Sequence, residues 1–257
     1  MISNLAFVDP TAKIGNNVTI MPFAYIDKGV EIGDDNVIMP YAALYKGTKI
    51  GNRNTIYSNA MISVEPQDFH YEGEESSVII GDDNKIRENV VIARGTHTGG
   101  ATQIGNGNFI MEKVHICHDV KINNRCVIGI GTIIAGECTI EDKVILSNHV
   151  VLHQKNRIGR LSLIQSGCRV QNDVPPYIIT NGNPVVYHGV NAIVLKQHEN
   201  VGDRILRHIA NAYRLIFKGD TSLEDAVLKI EEQIPKSDEI NNIVAFIRQS
   251  KRGIIRN

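Results

Sequence analysis

The sequence predicts a mainly β protein, a parallel β-solenoid over residues 1–190 followed by a C-terminal helical domain at 191–257. Three observations carry that prediction. Aliphatic residues recur at every sixth position, glycine recurs at every third such unit, and the period turns helical from about residue 192. A period of six matches neither a helix at about 3.6 residues nor a lone strand at about 2, but it matches a repeat of one short strand plus a corner.

The ladder runs from Val8 through Ile14, Ile20 and Ile26 to Leu152, Ile158, Ile164 and Val170, and its only breaks are Asp68, Glu74 and Thr98. Units such as Ile14-Gly15-Asn16-Asn17-Val18-Thr19 place a second small or β-branched residue four positions after the rung, and both point inward. Gly15, Gly33 and Gly51 mark every third unit, so three units form one triangular coil of about eighteen residues, stacked at about 4.8 Å. These glycines are expected at corners that need a positive φ. The breaks fall in two polar segments, near 65–77 and 94–103, after which the register resumes in phase. They are therefore loops inserted into a continuing solenoid, and loops on a rigid scaffold are where function concentrates.

Beyond Val170 the prolines of Asp173-Val174-Pro175-Pro176-Tyr177 end the ladder, because they cannot donate to it. Ile205, Leu206, Ile209, Ala212, Tyr213, Ile216 and Phe217 share one helix face. A second helix is expected to open with the capping box Thr221-Ser222-Leu223-Glu224 and run to Ile234, and a third carries Ile240, Ile243, Val244, Phe246 and Ile247. Lys251, Arg252 and Arg256 form a basic end that reads as a solvated tail.

The bulk properties narrow the function classes. A net charge of −1 over 257 residues makes no case for nucleic acid, which calls for a basic stripe. No run of about 20 apolar residues exists to span a membrane, and no basic leader precedes an apolar one. Four cysteines form no CxxC pair, and three stand where other repeats carry Ala, Val or Thr, so a reduced, cytoplasmic chain is expected.

The residues with chemistry cluster late in the ladder. Ile116 is a rung, so His115 and His118 both point away from the core. Their spacing does not form a metal set, because no third ligand stands at a matching place. An imidazole with an ordinary pKa near about 6.5 can take a proton from a hydroxyl, and Asp119 can hold its other nitrogen in the right tautomer. Gly136 can offer its backbone N–H to a developing oxyanion, and His153-Gln154 follows one coil later. His149 belongs to the same region without a role. On the ladder alone His118 also reads as an ordinary surface residue, and the first loop as a solvated excursion. Nothing resembles a covalent nucleophile.

Taken in order, Gln67-Asp68, Ile86-Arg87-Glu88, Arg94-Gly95-Thr96, Gly99-Gly100, His115-Ile116-Cys117-His118-Asp119, His153-Gln154, Asp173 to Tyr177, Gly189-Val190-Asn191 and Asn211-Ala212-Tyr213 form a set. It resembles the hexapeptide-repeat acyltransferases, and among them the bacterial UDP-N-acetylglucosamine O-acyltransferases that open lipid A synthesis. The resemblance covers nearly the whole chain. It implies a left-handed parallel β-helix, a homotrimer with sites in the clefts between prisms, and no metal or tightly bound cofactor. It also implies transfer of an (R)-3-hydroxyacyl group from acyl carrier protein to the glucosamine 3-hydroxyl of the nucleotide sugar. His118 would be the general base, Asp119 its partner and Gly136 the oxyanion donor. Gln67, Asp68, His70, His115, His153, Gln154 and Asn191 would line the UDP-sugar site, and Ser166, where some relatives carry Gly, would set an acyl ruler no longer than theirs.

Several positions depart from the family pattern. His70 replaces a lysine, Glu137 a histidine and Lys113-Val114 a small polar pair, while Ile193, Gln197 and His198 replace an acid and two arginines. The changed sugar-side residues keep a UDP 3-amino-3-deoxy acceptor open. The sister N-acyltransferases usually carry an additional N-terminal domain, for which a ladder beginning at Val8 leaves no room. A non-catalytic solenoid scaffold is the reading from a different class.

Overall fold

The computed structural model describes residues 1–219 and 221–256, and the side chain of His198 lies outside the described residues. It is a left-handed parallel β-helix. Most strands are two residues long, with the aliphatic rung as the second residue. Stacking places every third strand on the same face. The first face has nine strands: Phe7–Val8, Tyr25–Ile26, Ala43–Leu44, Met61–Val64, Val91–Ala93, His115–Ile116, Ile133–Ile134, Val151–Leu152 and Arg169–Val170. The second face has eight strands and the third has ten. Pairing along the stack is parallel, as at His115 against Val91 and Ile133. The third face ends in Ile178–Asn181, parallel to Leu163–Ile164, and an antiparallel partner, Val186–Val190.

A single apolar column fills the prism. Ile26, Ile38, Ile56, Ile62, Ile86, Ile92, Ile116 and Ile134 are 0 % exposed. β-Branched side chains suit this role because each rung packs between identical rungs above and below on a pleated surface. Most polar residues that enter the core have partners, although the buried side chains of Asn156 and Thr180 find none among the described residues. Asn36, Asn54, Asn84 and Asn108 are buried at one corner, where each carboxamide oxygen accepts the backbone N–H of the next residue in the column, at 2.8–2.9 Å, ending at Cys126.

The corners correct one expectation. Gly15, Gly33 and Gly51 do not have positive φ; that conformation comes two residues later, at Asn17, Asp35 and Arg53. Asn and Asp tolerate the left-handed region better than most residues, which suits a corner that recurs every hexad. The glycines are required by close stacking instead. A Cβ on Gly33 would lie 2.6 Å from the Gly51 carbonyl oxygen and 2.5 Å from Asn52 Oδ1. That same Asn52 oxygen accepts the Asp34 N–H at 2.8 Å, one step in a ladder of Asn and Asp side chains along this edge. Successive members are 18 residues apart except across the loops, where Asn52 to Asp82 is 30 and Asp82 to Asn106 is 24. The insertions therefore add two whole hexads and one.

Both loops leave the first face and return to the second. The first spans 65–76, before the strand Ser77–Ile80, and the second spans 94–100, before Ala101–Ile104. The segments 77–80 and 101–104 pair with each other, so Ser77 and residues 101–103 belong to the sheet rather than to the expected loops.

Among the described residues four helices follow: α1 (Ala192–Glu199), α2 (Asp203–Phe217), α3 (Leu223–Gln233) and α4 (Asp238–Gln249). α1 is additional to the three helices read from the sequence. α2 anchors the group through Tyr213, which is 0 % exposed and donates its hydroxyl to the Pro176 carbonyl. The cap of α3 is Ser222 rather than Thr221: Ser222 Oγ accepts the Asp225 N–H at 3.1 Å and donates to the Asp225 carboxylate at 2.7 Å. The chain then returns to the solenoid, where Ile255 N–H bonds the Asp173 carbonyl and Ser250 Oγ bonds Asp173 Oδ2 at 2.6 Å. Among the described residues no helix is long and apolar enough to cross a membrane.

Candidate active site

Both loops, the segment 117–120, Gly136 and Gln154 follow rungs of the first face, so the fold gathers them on one edge of the prism. His118 points away from the core, yet it is only 8 % exposed. It is covered from two sides. The first loop brings Asp68 Oδ2 to 3.3 Å from Nε2, and the next coil places the Gly136 backbone directly against the ring. A Cβ on Gly136 would lie 2.4 Å from both Nε2 and Cε1, so only glycine fits beneath this imidazole.

Asp119 occupies the left-handed corner position, with φ of 57°, which turns its carboxylate back toward its neighbour. Asp119 Oδ2 lies 3.0 Å from His118 Nδ1 and accepts the Thr96 N–H at 3.0 Å and the Thr96 hydroxyl at 2.8 Å. Burial raises the Asp119 carboxyl, but the bonds from Thr96 and His118 outweigh it and hold the group below the usual carboxylate range. Asp68 is likewise held low, first by the His70 N–H and ring Nδ1, at 2.8 and 3.0 Å. An Nδ1–H donated to Asp119 leaves the Nε2 lone pair on the side where the first loop stands.

The two loops are fastened to one another. Arg94 donates to the Tyr71 hydroxyl at 3.1 and 2.7 Å, to the Ser63 carbonyl at 3.2 Å and to Glu65 at 3.3 Å. Arg94 and Thr96 stand in a motif noticed in the sequence, but their roles depend on contacts 23 residues away and were not legible there. The proximity of Gly95 and Gly100 to Asp119 is of the same kind, since a Cβ at Gly95 would lie 2.7 Å from Asp119 Oδ1.

Gly136 has a second property. Along the second edge the N–H two residues after a rung is capped by a side chain from the next coil, as Asn106 N–H by Asn124 Oδ1 at 2.8 Å and Asn124 N–H by Asp142 Oδ1 at 3.0 Å, and one third-edge coil does the same with Ile130 N–H and Asn148 Oδ1 at 3.0 Å. The equivalent partner of Gly136 is Gln154, which instead donates to Glu137 Oε1 at 2.9 Å. Among the described residues nothing accepts the Gly136 N–H. Its donor is buried and free.

The remaining expected residues are dispersed. Gln67 and His70 are exposed on the first loop. His115 is half-buried on the first face, where loss of hydration favours the neutral ring. His153 Nε2 accepts Arg169 Nε at 2.8 Å, which leaves its Nδ1–H as the outward donor. Ser166 is exposed on a different edge, after the third-face rung Ile164. Asn191 is 3 % exposed and spends its side-chain N–H on the Leu161 carbonyl at 2.9 Å, a packing contact away from the His118 group. Burial raises the Cys117 thiol, which makes it a poor nucleophile, and pushes the Cys126 and Cys138 thiols up to about 12. Among the described residues no three His, Cys, Asp or Glu side chains converge as a metal set.

Residues 173–255 match the family model described as UDP N-acetylglucosamine O-acyltransferase, domain 2, and residues 11–42, 29–63 and 101–129 match bacterial transferase hexapeptide repeats. The acyl-[acyl-carrier-protein]–UDP-N-acetylglucosamine O-acyltransferase of Alkalilimnicola ehrlichii is 44 % identical over 98 % of this chain and 97 % of that protein. The crystal structure of a UDP-N-acetylglucosamine acyltransferase from Bacteroides fragilis superposes over 100 % of both chains with a TM-score of 0.98 and 49 % identity. That of the Francisella novicida UDP-N-acetylglucosamine acyltransferase covers 100 % of this chain and 94 % of its own, with a TM-score of 0.96 and 33 % identity.

Proposed function

The chain belongs to the acyl-[acyl-carrier-protein]–UDP-N-acetylglucosamine O-acyltransferase family, and from that premise we propose how the edge around His118 carries out the transfer. The enzyme is an acyltransferase that takes its acyl group from acyl carrier protein and passes it to UDP-N-acetylglucosamine, the first step of lipid A synthesis. The observation that carries the mechanism is His118 held at Nδ1 by Asp119, with Nε2 facing the first loop above an unpaired Gly136 N–H.

His118 Nε2 takes the proton from the glucosamine 3-hydroxyl as its oxygen attacks the thioester carbonyl carbon. The developing imidazolium is stabilised by Asp119, whose carboxylate is already ionised and fixed by Thr96. The carbonyl oxygen gains charge and accepts the Gly136 N–H, a donor that needs no reorganisation. As the intermediate collapses, the C–S bond breaks and the carrier thiolate takes the proton back from Nε2. The ester and the free thiol are the products, and no covalent enzyme intermediate forms. Asp68, Gln67 and His70 on the first loop, with His115, His153 and Gln154 on the solenoid, line the path of the nucleotide sugar. The departures at Ile193 and Gln197 remove charge from the sugar side, which makes a 3-amino-3-deoxy sugar the second acceptor to test.

We place three protomers together through the first face. Its outward row carries Phe7, Tyr25, Met61 and Ile133, which are 53 %, 38 %, 41 % and 44 % exposed in one chain, whereas the second face shows Lys13, Glu31, Lys49 and Lys121 beside an exposed Ile79. A monomeric mass in light scattering would refute that arrangement. The four free cysteines suit the reducing cytoplasm, where the reading places the reaction.

The test offers UDP-N-acetylglucosamine and a series of (R)-3-hydroxyacyl carrier proteins to purified enzyme and follows thiol release. The general-base role requires turnover that His118→Ala abolishes. Ser166 as the ruler requires a preferred chain no longer than that of glycine-bearing relatives. Turnover only with the 3-amino sugar reassigns the acceptor, and a His118→Ala variant as fast as wild type removes the mechanism.

A further inference from the structure

Resting on that reading of His118, we propose that Thr96 is a positioning residue for the transfer: its hydroxyl and its amide together fix the Asp119 oxygen that orients the base. Thr96 belongs to the second loop, outside the ladder, and is 5 % exposed. Among the described residues its hydroxyl has one hydrogen-bond partner, Asp119 Oδ2 at 2.8 Å, and its N–H bonds the same atom at 3.0 Å. With His118 Nδ1 at 3.0 Å, three groups converge on a single carboxylate oxygen. Two donors from one residue remove the rotational freedom that a lone carboxylate would keep about its last torsion, so the imidazole plane is set by the loop as well as by Asp119.

The rest of the loop is shaped to permit this grip. Gly95 and Gly100 leave room for Asp119 Oδ1, which a Cβ on either would approach to 2.7 or 3.2 Å. The loop is itself pinned at both ends: Ser76 Oγ bonds the Gly95 carbonyl at 2.6 Å, and the Gly99 N–H bonds the Glu75 carbonyl at 2.8 Å. At the equivalent corner of the second edge Arg125 and Lys143 hold the same left-handed conformation without a threonine, the Lys143 ammonium pairing with Glu199 instead. The corner does not need Thr96 to fold; the orientation of Asp119 does.

The experiment measures kcat and KM for the acceptor in the full-length enzyme, with acyl carrier protein as donor. Thr96→Val, which deletes the hydroxyl at nearly constant shape, is expected to lower kcat by about tenfold or more while KM stays within about threefold, the loss typical of a hydrogen bond to a charged group. Thr96→Ser, which restores the hydroxyl, should recover most of the rate. In an Asp119→Asn background, Thr96→Val should cost nothing further, because a residue acting through Asp119 has nothing left to act on. Wild-type kcat in Thr96→Val, failure of Thr96→Ser to recover it, or additive losses in the double variant would each overturn the proposal. Should Thr96→Val not fold, Thr96→Ala deletes the same hydroxyl without a branched side chain and decides the same cycle. Full rate in His118→Ala would instead remove the general-base reading, whereas a dead His118→Ala beside an unimpaired Thr96→Val removes this inference alone.

Discussion

Gly136→Ala tests the active-site geometry with one methyl group. The added carbon would stand 2.4 Å from His118 Nε2 and Cε1, against an ordinary contact of about 3.5 Å, so the ring has to retreat by about 1 Å. What it meets is a side chain rather than backbone, so the coil can stay stacked while the imidazole swings out between its two carboxylates. The 3.0 Å bond to Asp119 and the approach of Nε2 to the acceptor hydroxyl are lost together. A displacement of that size in a reacting group costs on the order of a hundredfold in rate. The backbone N–H survives the substitution, so the loss reports the base and not the oxyanion donor. Steady-state thiol release should therefore show kcat down by about two orders of magnitude, with a melting temperature within a few degrees of wild type. A kcat within about threefold of wild type would show that the ring at Gly136 is not the reacting group.

Two other perturbations separate scaffold from site. Asn84→Ala removes the oxygen that accepts the Asn108 N–H at 2.8 Å and the amide that serves Asn54 and the Gly105 carbonyl, so urea unfolding should lose about 1–3 kcal/mol while the rate of the folded enzyme is unchanged; an unmoved midpoint would refute the ladder's role. Because the Asp119 carboxyl is held below its ordinary value of 3.8, its contribution to stability is complete above that value and is lost as pH falls through the lower folded one. The melting-temperature gap between wild type and Asp119→Asn should therefore narrow on acidification below about pH 4, and a gap that does not change with pH would contradict the shift.

The solenoid was legible because its core is one-dimensional: each rung packs on copies of itself, so a single spacing in the chain records the burial of the whole prism. The same economy hid the glycines. A residue chosen for backbone approach between coils and one chosen for a positive φ look alike in a sequence, and Gly33 is the first kind while its neighbour Asp35 supplies the second. His118 and Asp119 could be paired from adjacency, but the burial of His118 could not, since it depends on Asp68 folding back across 50 positions of chain. Thr96 was visible only as part of a motif, because its partner is 23 residues on. The cap of α3 was displaced by one residue, from Thr221 to Ser222, because two hydroxyls in succession both satisfy the pattern.

The site draws on five neighbouring coils, those whose first-face strands are Met61–Val64, Val91–Ala93, His115–Ile116, Ile133–Ile134 and Val151–Leu152. In a stack where each layer touches only the next, disorder enters from the ends and moves inward one layer at a time. Three first-face strands precede the first of these five, and the C-terminal segment bolts the far end down through Asp173. Loosening of the N-terminal layers can thus proceed some way before the reacting groups are disturbed. Activity and global order should part company under mild stress, with hydrogen exchange rising first on the second face near Lys13 and Ile14 while turnover persists.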